Sequence, residues 1–556
     1  MRRDRADTRI LFTLTVIVGC LSGLAAVAFH LSIDFISRHL LEPALAAPQL
    51  ERIALVVALL AGTGLVVGLA LQTLTPFARG SGIPEVKTAY LFGPGPQLSI
   101  GTGVGKFFLG ALSIGAGFSL GREGPTVQLC ACIGAAVGKV ARRPSRVVKT
   151  LISVGSAAGI AAAFNTPIAA ITFALEEIIG DLNQRLVGAI VVAAVAAAVI
   201  ERAILGAHPV LTVPEYSLGS WWELFIYALL GVLTGVVATV FVRGLLALRL
   251  AVRDWTGCPG WAKPAVGGLA MATIGLIVPQ TLGIGYATLS DTLLGHVSLP
   301  RMAMLSAAKL LATVTSYGWG LSGGIFSPAL FIGATLGGSV GFGVQHLAPG
   351  RVDAIGSFAL VGMGAFFAGA IRAPITSILI IFEMTGDYAI ILPLMIANVI
   401  SYTVAARLHP VPIYEALLHQ DGIPIPDHET HHDLRALSVE QAMTPAPVAA
   451  RASDRVDDTA ARLDAEGLRA LPVLDQDGHL VGVVSRVDLA RAPRPDTSVL
   501  DVATREVVTL FPDQALDLAL LKMGRHAVRQ APVVSRTESG LVVGMLSLKD
   551  ISTSIA

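Results

Sequence analysis

The sequence predicts an all-α polytopic membrane domain with broken helices and an internal repeat, followed by a soluble α/β tandem module. Three observations predict it. Apolar residues make up 53% of the 556-residue chain against 14% charged, where a soluble domain carries about 25% charged residues. The charge is concentrated at one end: 31 charged side chains fall in residues 433–556. Two blocks of the apolar part also align with two later blocks, and the tail repeats within itself. The formal net charge of +1 gives no general attraction to nucleic acid. Cys20, Cys130, Cys132 and Cys258 lie mostly in apolar runs and imply no disulfide framework.

The opening nine residues, MRRDRADTR, carry four arginines and lead into an apolar run from Ile10 to Phe29. Insertion retains such basic flanks in the cytoplasm, so the N-terminus is expected there. The run is longer than a leader's apolar core and no cleavage motif follows, which favours a retained span. Further apolar stretches lie at 53–73, 101–119, 125–141, 147–179, 186–204, 222–250, 264–282, 302–319, 324–346, 355–382 and 389–407. Several fall short of the roughly 20 residues a spanning helix needs. Others are interrupted at GSGIP, GREGP, FNTP and GGIFSP. Broken backbone at membrane depth is tolerated only where protein buries it or a polar cavity adjoins it. The 58 glycines also permit close helix packing. The pattern is that of a transporter or channel with a buried polar site.

Residues 121–138 lie over 324–341 at an offset of 203, matching Gly121, Pro125, Gly134 and Gly138 to Gly324, Pro328, Gly337 and Gly341. Residues 155–176 lie over 362–383 at an offset of 207, matching Gly155, Pro167 and Glu176 to Gly362, Pro374 and Glu383. Corresponding breaks in two halves point to a midplane site at the repeat interface. Hydropathy leaves open whether the halves run parallel or inverted. After Ala406, residues 409–437 read as a final core segment and linker. Their DHETHHD tract (427–433) offers metal-binding side chains but reads first as a solvated hinge. Beyond it, GVVSRVDL (482–489) and GMLSLKDI (544–551) align at an offset of 62, giving two small modules at 438–494 and 495–556 behind a membrane domain at 1–408.

The breaks suggest chemistry. GSGIPEVK, GREGP and GGIFSP share glycine for close approach, proline in a first helical turn, then an apolar helix. Helix N-termini leave N–H groups unpaired and carry about half a positive charge, so they bind anions. Ser81 adds a neutral donor. Glu123 within GREGP is a carboxylate among apolar neighbours, which is costly and functional by default in a membrane. At an anion-binding helix end it competes with the anion until it is protonated, and so it can gate. Arg122 is expected to face water or a carboxylate. Glu176 and Glu177 end the run FALEEIIG. Adjacent helical residues point about 100° apart, so one can cap while the other faces an aqueous path, and the residues alone leave a solvated pair or a proton relay open. No paired membrane aspartates in a helical context support an intramembrane enzyme.

GSGIPEVK, GKFFLGALSIGAGFSLGREGPTVQ, FNTPIAAITFALEE, GGIFSPALFIGATLG and PIYEALL together resemble the CLC family of chloride channels and proton-coupled chloride transporters, over residues 10 to about 420. The resemblance implies a membrane homodimer, each subunit built from two inverted repeats with one anion pathway. It implies a central chloride site made by the Ser81 and Tyr414 hydroxyls and the backbone N–H groups of Ile325 and Phe326. It makes Glu123 the gating glutamate, with the backbone around it, Arg122 and Gly124 included, as an outer site. Glu177 becomes the internal proton-transfer residue, which favours a chloride/proton exchanger over a channel of the same fold. Nitrate-preferring plant members carry proline where Ser81 stands, and fluoride exporters depart from GREGP. The tail resembles a pair of cystathionine-β-synthase (CBS) domains. That resemblance implies adenine nucleotide (ATP, ADP or AMP) at Ser485, Asp488, Ser547 and Asp550, or a structural cap. No cofactor or metal is expected, and the location implied is the inner or plasma membrane with the tail cytoplasmic.

Overall fold

The computed structural model describes residues 2–180, 184–206, 211, 221–347, 355–423, 437–445, 447–466, 470–490, 492, 494, 496–525, 528–538 and 540–554. The DHETHHD tract and its expected hinge lie outside them. The chain forms two units, Met1–Pro424 and Ile425–Ala556.

The first unit is helical. In order it contains α1 (Arg2–Ile36), α2 (Gln49–Thr73), α3 (Ile83–Phe92), α4 (Ile100–Gly115), α5 (Glu123–Val140), α6 (Ser145–Phe164), α7 (Pro167–Phe173) and α8 (Gln184–Leu205). There follow α9 (Glu223–Asp254), α10 (Lys263–Ile277), α11 (Tyr286–Leu293), α12 (Leu299–Gly318), α13 (Phe326–Leu347), α14 (Ile355–Ile371), α15 (Pro374–Thr385), α16 (Ile391–Leu408) and α17 (Ile413–Gln420). Among the described residues seven helical stretches are long and apolar enough to cross a membrane, and four shorter apolar helices accompany them. The 32 residues of α9 extend about 48 Å at 1.5 Å per residue, more than the roughly 30 Å hydrocarbon core, so α9 is long enough to span it with tilt or to project beyond it. Trp221 and Trp222 stack at its start, and Trp255 meets Trp319 at its end, as interfacial aromatic belts do.

The repeat is physical. α5 and α13 begin 203 residues apart, and α7 with α15 and α8 with α16 begin 207 apart. Gly121 and Gly324 exchange two backbone hydrogen bonds of 2.7 Å in an antiparallel bridge. Pairing equivalent residues in opposite directions requires a local two-fold axis that reverses the chain, the geometry of an inverted repeat. The repeated glycines permit the tightest helix crossings. A Cβ on Gly134 would lie 2.0 Å from the Leu151 carbonyl oxygen, and one on Gly337 would lie 2.1 Å from that of Phe358. The apolar run read over 147–179 is broken at Asn165, whose left-handed backbone ends α6. Its counterpart Arg372 has φ 72°, an uncommon conformation for a bulky residue.

The tail has two three-stranded sheets. β1 (Thr444–Pro445), β5 (Gln530–Val534) and β6 (Val542–Ser547) form one, and β2 (Ala450–Arg451), β3 (Ala470–Leu474) and β4 (Leu480–Ser485) form the other. β3–β4 and β5–β6 are antiparallel in matching register, as the repeat predicts. The packing departs from the linear boundaries at 438–494 and 495–556. β1, from the first half, pairs with β6, and Val439 is buried in the second module's core. Val499, from the second half, is buried in the first module's core, and Thr504 bridges Val483 there. Each half completes its partner's sheet edge, which a pattern of strand and helix periods does not reveal.

Candidate anion and proton site

The three broken motifs meet. Gly80 donates to the Leu321 carbonyl and accepts from the Gly323 N–H, each at 3.0 Å, beside the Gly121–Gly324 pair. This ties the starts of α3, α5 and α13 together. Contact is too close for side chains: a Cβ on Gly124 would sit 2.4 Å from Ser81 Oγ, and one on Gly82, at φ 92°, would sit 2.5 Å from the Gln128 amide oxygen. Glycine here lets the helix ends converge.

Ser81 and Tyr414 are both buried, and among the described residues neither hydroxyl has a hydrogen-bond partner. The two hydroxyls adjoin each other. A buried polar group left unpaired costs about 1–3 kcal/mol, so two such donors beside helix N-termini suit a small anion. Ile325 and Phe326 are fully buried at the head of α13, where the first N–H groups have no intrahelical partner.

Glu123 is fully buried in the first turn of α5, but its carboxylate reaches the head of α13. It accepts from the Ser327 hydroxyl in a close contact, from the Ser327 N–H at 3.4 Å and from the Tyr286 hydroxyl at 3.2 Å. It therefore stands on the helix end that an anion would use. Tyr286 and Ser327 escaped the sequence reading. Tyr286 follows GIG, which lies over GSG at the 203 offset with matching left-handed glycines (Gly80 and Gly283, Gly82 and Gly285). The Arg122 guanidinium donates to the Ala163 carbonyl at 2.9 Å, contacts His30 Nδ1 and lies 5.6 Å from the Tyr286 ring centroid. Its side chain is thus buried and engaged with α1, α6 and α11, through an imidazole, a backbone carbonyl and an aromatic ring rather than the water or carboxylate expected.

The two glutamates of FALEE part company. The segment Ala174–Ile179 is a π-helical turn, a frequent device at functional sites. Glu176 accepts from the Thr376 N–H at 2.9 Å, the Ile375 N–H at 3.3 Å and the Thr376 hydroxyl at 2.8 Å, capping α15. Glu383, its repeat partner, caps α7 through the N–H groups of Ile168 and Ala169. Glu177 instead meets Lys87 at 2.8 Å, and Lys87 also meets Glu415 at 3.1 Å. Lys87 and Glu415 stand inside GSGIPEVK and PIYEALL, yet no spacing joins them to Glu177. Another matched pair supports the backbone: Lys106 donates to the Gly80 carbonyl and Lys309 to that of Gly283, each at 2.7 Å.

In the tail, Ser485 and Asp488 form a reciprocal cap, as do Ser547 and Asp550. The serine N–H and hydroxyl donate to the aspartate Oδ2, and the aspartate N–H donates back to the hydroxyl.

Comparison with known proteins bears on the family and the fold. The family model described as voltage gated chloride channel matches residues 63–406, and the CBS domain model matches 439–494 and 499–556. The H(+)/Cl(-) exchange transporter ClcA of Vibrio campbellii is 35% identical over 419 residues, covering 73% of this chain and 88% of its own length. The structure of a slow cyanobacterial Cl-/H+ antiporter is similar with a TM-score of 0.68 at 26% identity, over 74% of this chain and 97% of that one. A eukaryotic CLC transporter shares the fold over 97% of both chains, with a TM-score of 0.70 at 20% identity.

Proposed function

Given that this chain belongs to the CLC family of voltage gated chloride channels and carries two CBS domains, we propose that it is a chloride/proton antiporter gated by Glu123. The observation that carries this reading is the Glu123 carboxylate held at the head of α13 by Ser327 and Tyr286. A carboxylate and a chloride ion compete for one set of donors, because like charges at one site disfavour each other. Protonation removes the competition and lets the side chain leave, so anion occupancy and proton binding become linked.

In this reading the central anion site uses the Ser81 and Tyr414 hydroxyls with the N–H groups of Ile325 and Phe326, and the backbone of Arg122 and Gly124 forms an outer site. Hydroxyl and amide donors without a formal countercharge bind chloride weakly enough to release it. Glu177 carries protons on the inner side. The protein works as a homodimer in the inner or plasma membrane, with its tail in the cytoplasm and its arginine-rich N-terminus there too, as the positive-inside rule favours. The tail binds adenine nucleotide: each cap uses Asp488 or Asp550 Oδ2, so Oδ1 remains to accept from a ribose hydroxyl.

The test is reconstitution into liposomes with a chloride gradient and an external pH probe. Chloride flowing down its gradient should drive protons uphill. Chloride flux without proton flux at any pH would make the protein a channel of the same fold.

A further inference from the structure

The exchange cycle above uses Glu123 and Glu177 but leaves a buried lysine and a part-buried glutamate beside Glu177 without a task. Lys87 Nζ lies between Glu177 Oε1 at 2.8 Å and Glu415 Oε1 at 3.1 Å. One cation between two carboxylates is a buried cluster of net charge −1. In a low-dielectric setting that surplus is expensive, and one added proton removes it. Glu176 is next in sequence, but its carboxylate is engaged in capping α15. The cluster is graded toward solvent: the side chain of Glu415 is 16% exposed, that of Lys87 10% and that of Glu177 6%. Glu415 also follows Tyr414 directly in α17, so the most accessible carboxylate stands next to one of the two unpaired hydroxyls.

We infer that Glu415 is the proton-uptake residue of the inner half and that Lys87 is the positioning cation through which Glu415 and Glu177 hold one shared proton. The inference rests on the antiporter reading. A hydronium ion delivers a proton to Glu415: its O–H bond breaks, the electron pair stays on the departing water, and an O–H bond forms on the carboxylate. That O–H bond then breaks as one forms on Glu177. Lys87 remains an ammonium throughout and stays paired with whichever carboxylate is charged.

The experiment uses the full chain in liposomes, with proton and chloride fluxes measured together. Glu415→Gln should lower proton flux about tenfold or more while chloride flux stays within about twofold, so the proton-to-chloride ratio collapses. Glu415→Asp should restore it, which a merely structural role would not require. If Glu415→Gln does not fold, the double variant Lys87→Gln, Glu415→Gln deletes one charge of each sign and should show the same collapse. An unchanged ratio in either Gln variant overturns the inference and leaves the antiporter standing. A wild type that moves no protons overturns both.

Discussion

Replacing Glu123 by Gln removes a charge and leaves the side chain's shape. The carboxylate takes two close hydroxyl donors, Ser327 and Tyr286, and a longer Ser327 N–H at 3.4 Å. A hydrogen bond to a charged group nets about 1.5–3 kcal/mol and a neutral one about 0.5–1.5, so the two close bonds together lose about 2–3 kcal/mol. That difference is about thirty- to a hundred-and-fiftyfold in the side chain's hold on the head of α13. Chloride should therefore bind Glu123→Gln more tightly, by up to that factor where the two compete for one site. Isothermal calorimetry of the purified protein reads the affinity directly. In liposomes the same variant should pass chloride passively and move no protons, because nothing that leaves the site now carries one. Equal chloride affinity in variant and wild type, or persistent uphill proton flux, would refute the competition argument.

The central site is tested by the double variant Ser81→Ala, Tyr414→Phe: removing two donors worth about 1.5–3 kcal/mol each to a charged partner should weaken chloride binding by at least about tenfold in calorimetry. Gly134→Ala should lower the melting temperature, since its Cβ would lie 2.0 Å from the Leu151 carbonyl oxygen, whereas Gly188→Ala, with nothing within 4 Å, should not; overpacking of this kind costs about 1–3 kcal/mol. If the tail binds nucleotide, ATP or AMP at about 100 times its dissociation constant should stabilise fragment 433–556 by about 2.7 kcal/mol, and an unchanged melting curve at millimolar nucleotide would leave the tail a structural cap.

Much of this architecture was legible because its signals are local. GREGP and GGIFSP predict helix starts, and α5 and α13 begin within them at Glu123 and Phe326. The repeat offsets predict paired helices and paired glycine crossings, and both occur. What sequence could not show is side-chain meeting across the fold. Lys87 lies 90 residues from Glu177 and 328 from Glu415, and Tyr286 lies 163 from Glu123, so no period or motif spacing links them. The tail fails in the same way. The repeat marks β6 through GMLSLKDI, but β1 is only two residues long, and its pairing with the other half's sheet depends on which edge is open in three dimensions.

The repeat itself separates scaffold from chemistry. Residues that hold the backbone occur in both halves: Gly121 with Gly324 at the two-fold, Lys106 with Lys309 on the glycine turns, and Glu176 with Glu383 as reciprocal helix caps. Residues proposed to handle ions occur once. At the repeat offsets Ser81 stands opposite Ile284, Glu123 opposite Phe326 and Glu177 opposite Met384, while Tyr286 and Ser327 stand opposite Ile83 and Gly124. A two-fold scaffold offers two equivalent helix ends, α5 and α13. A carboxylate at the first and apolar Phe326 at the second make them unequal, so Glu123 crosses the axis to occupy the head of α13. Breaking the symmetry at that one position turns a static pair of anion-binding ends into one end that can be blocked and one side chain that can block it. The same comparison isolates Lys87, whose counterpart is Ser290. By this criterion it belongs with the ion-handling residues rather than with the paired lysines of the scaffold. Charge-preserving Lys87→Arg should therefore keep proton coupling that Lys87→Met loses, whereas Lys106→Met and Lys309→Met should fail first in thermal stability, because the turn carbonyls lose the ammonium donor that holds them.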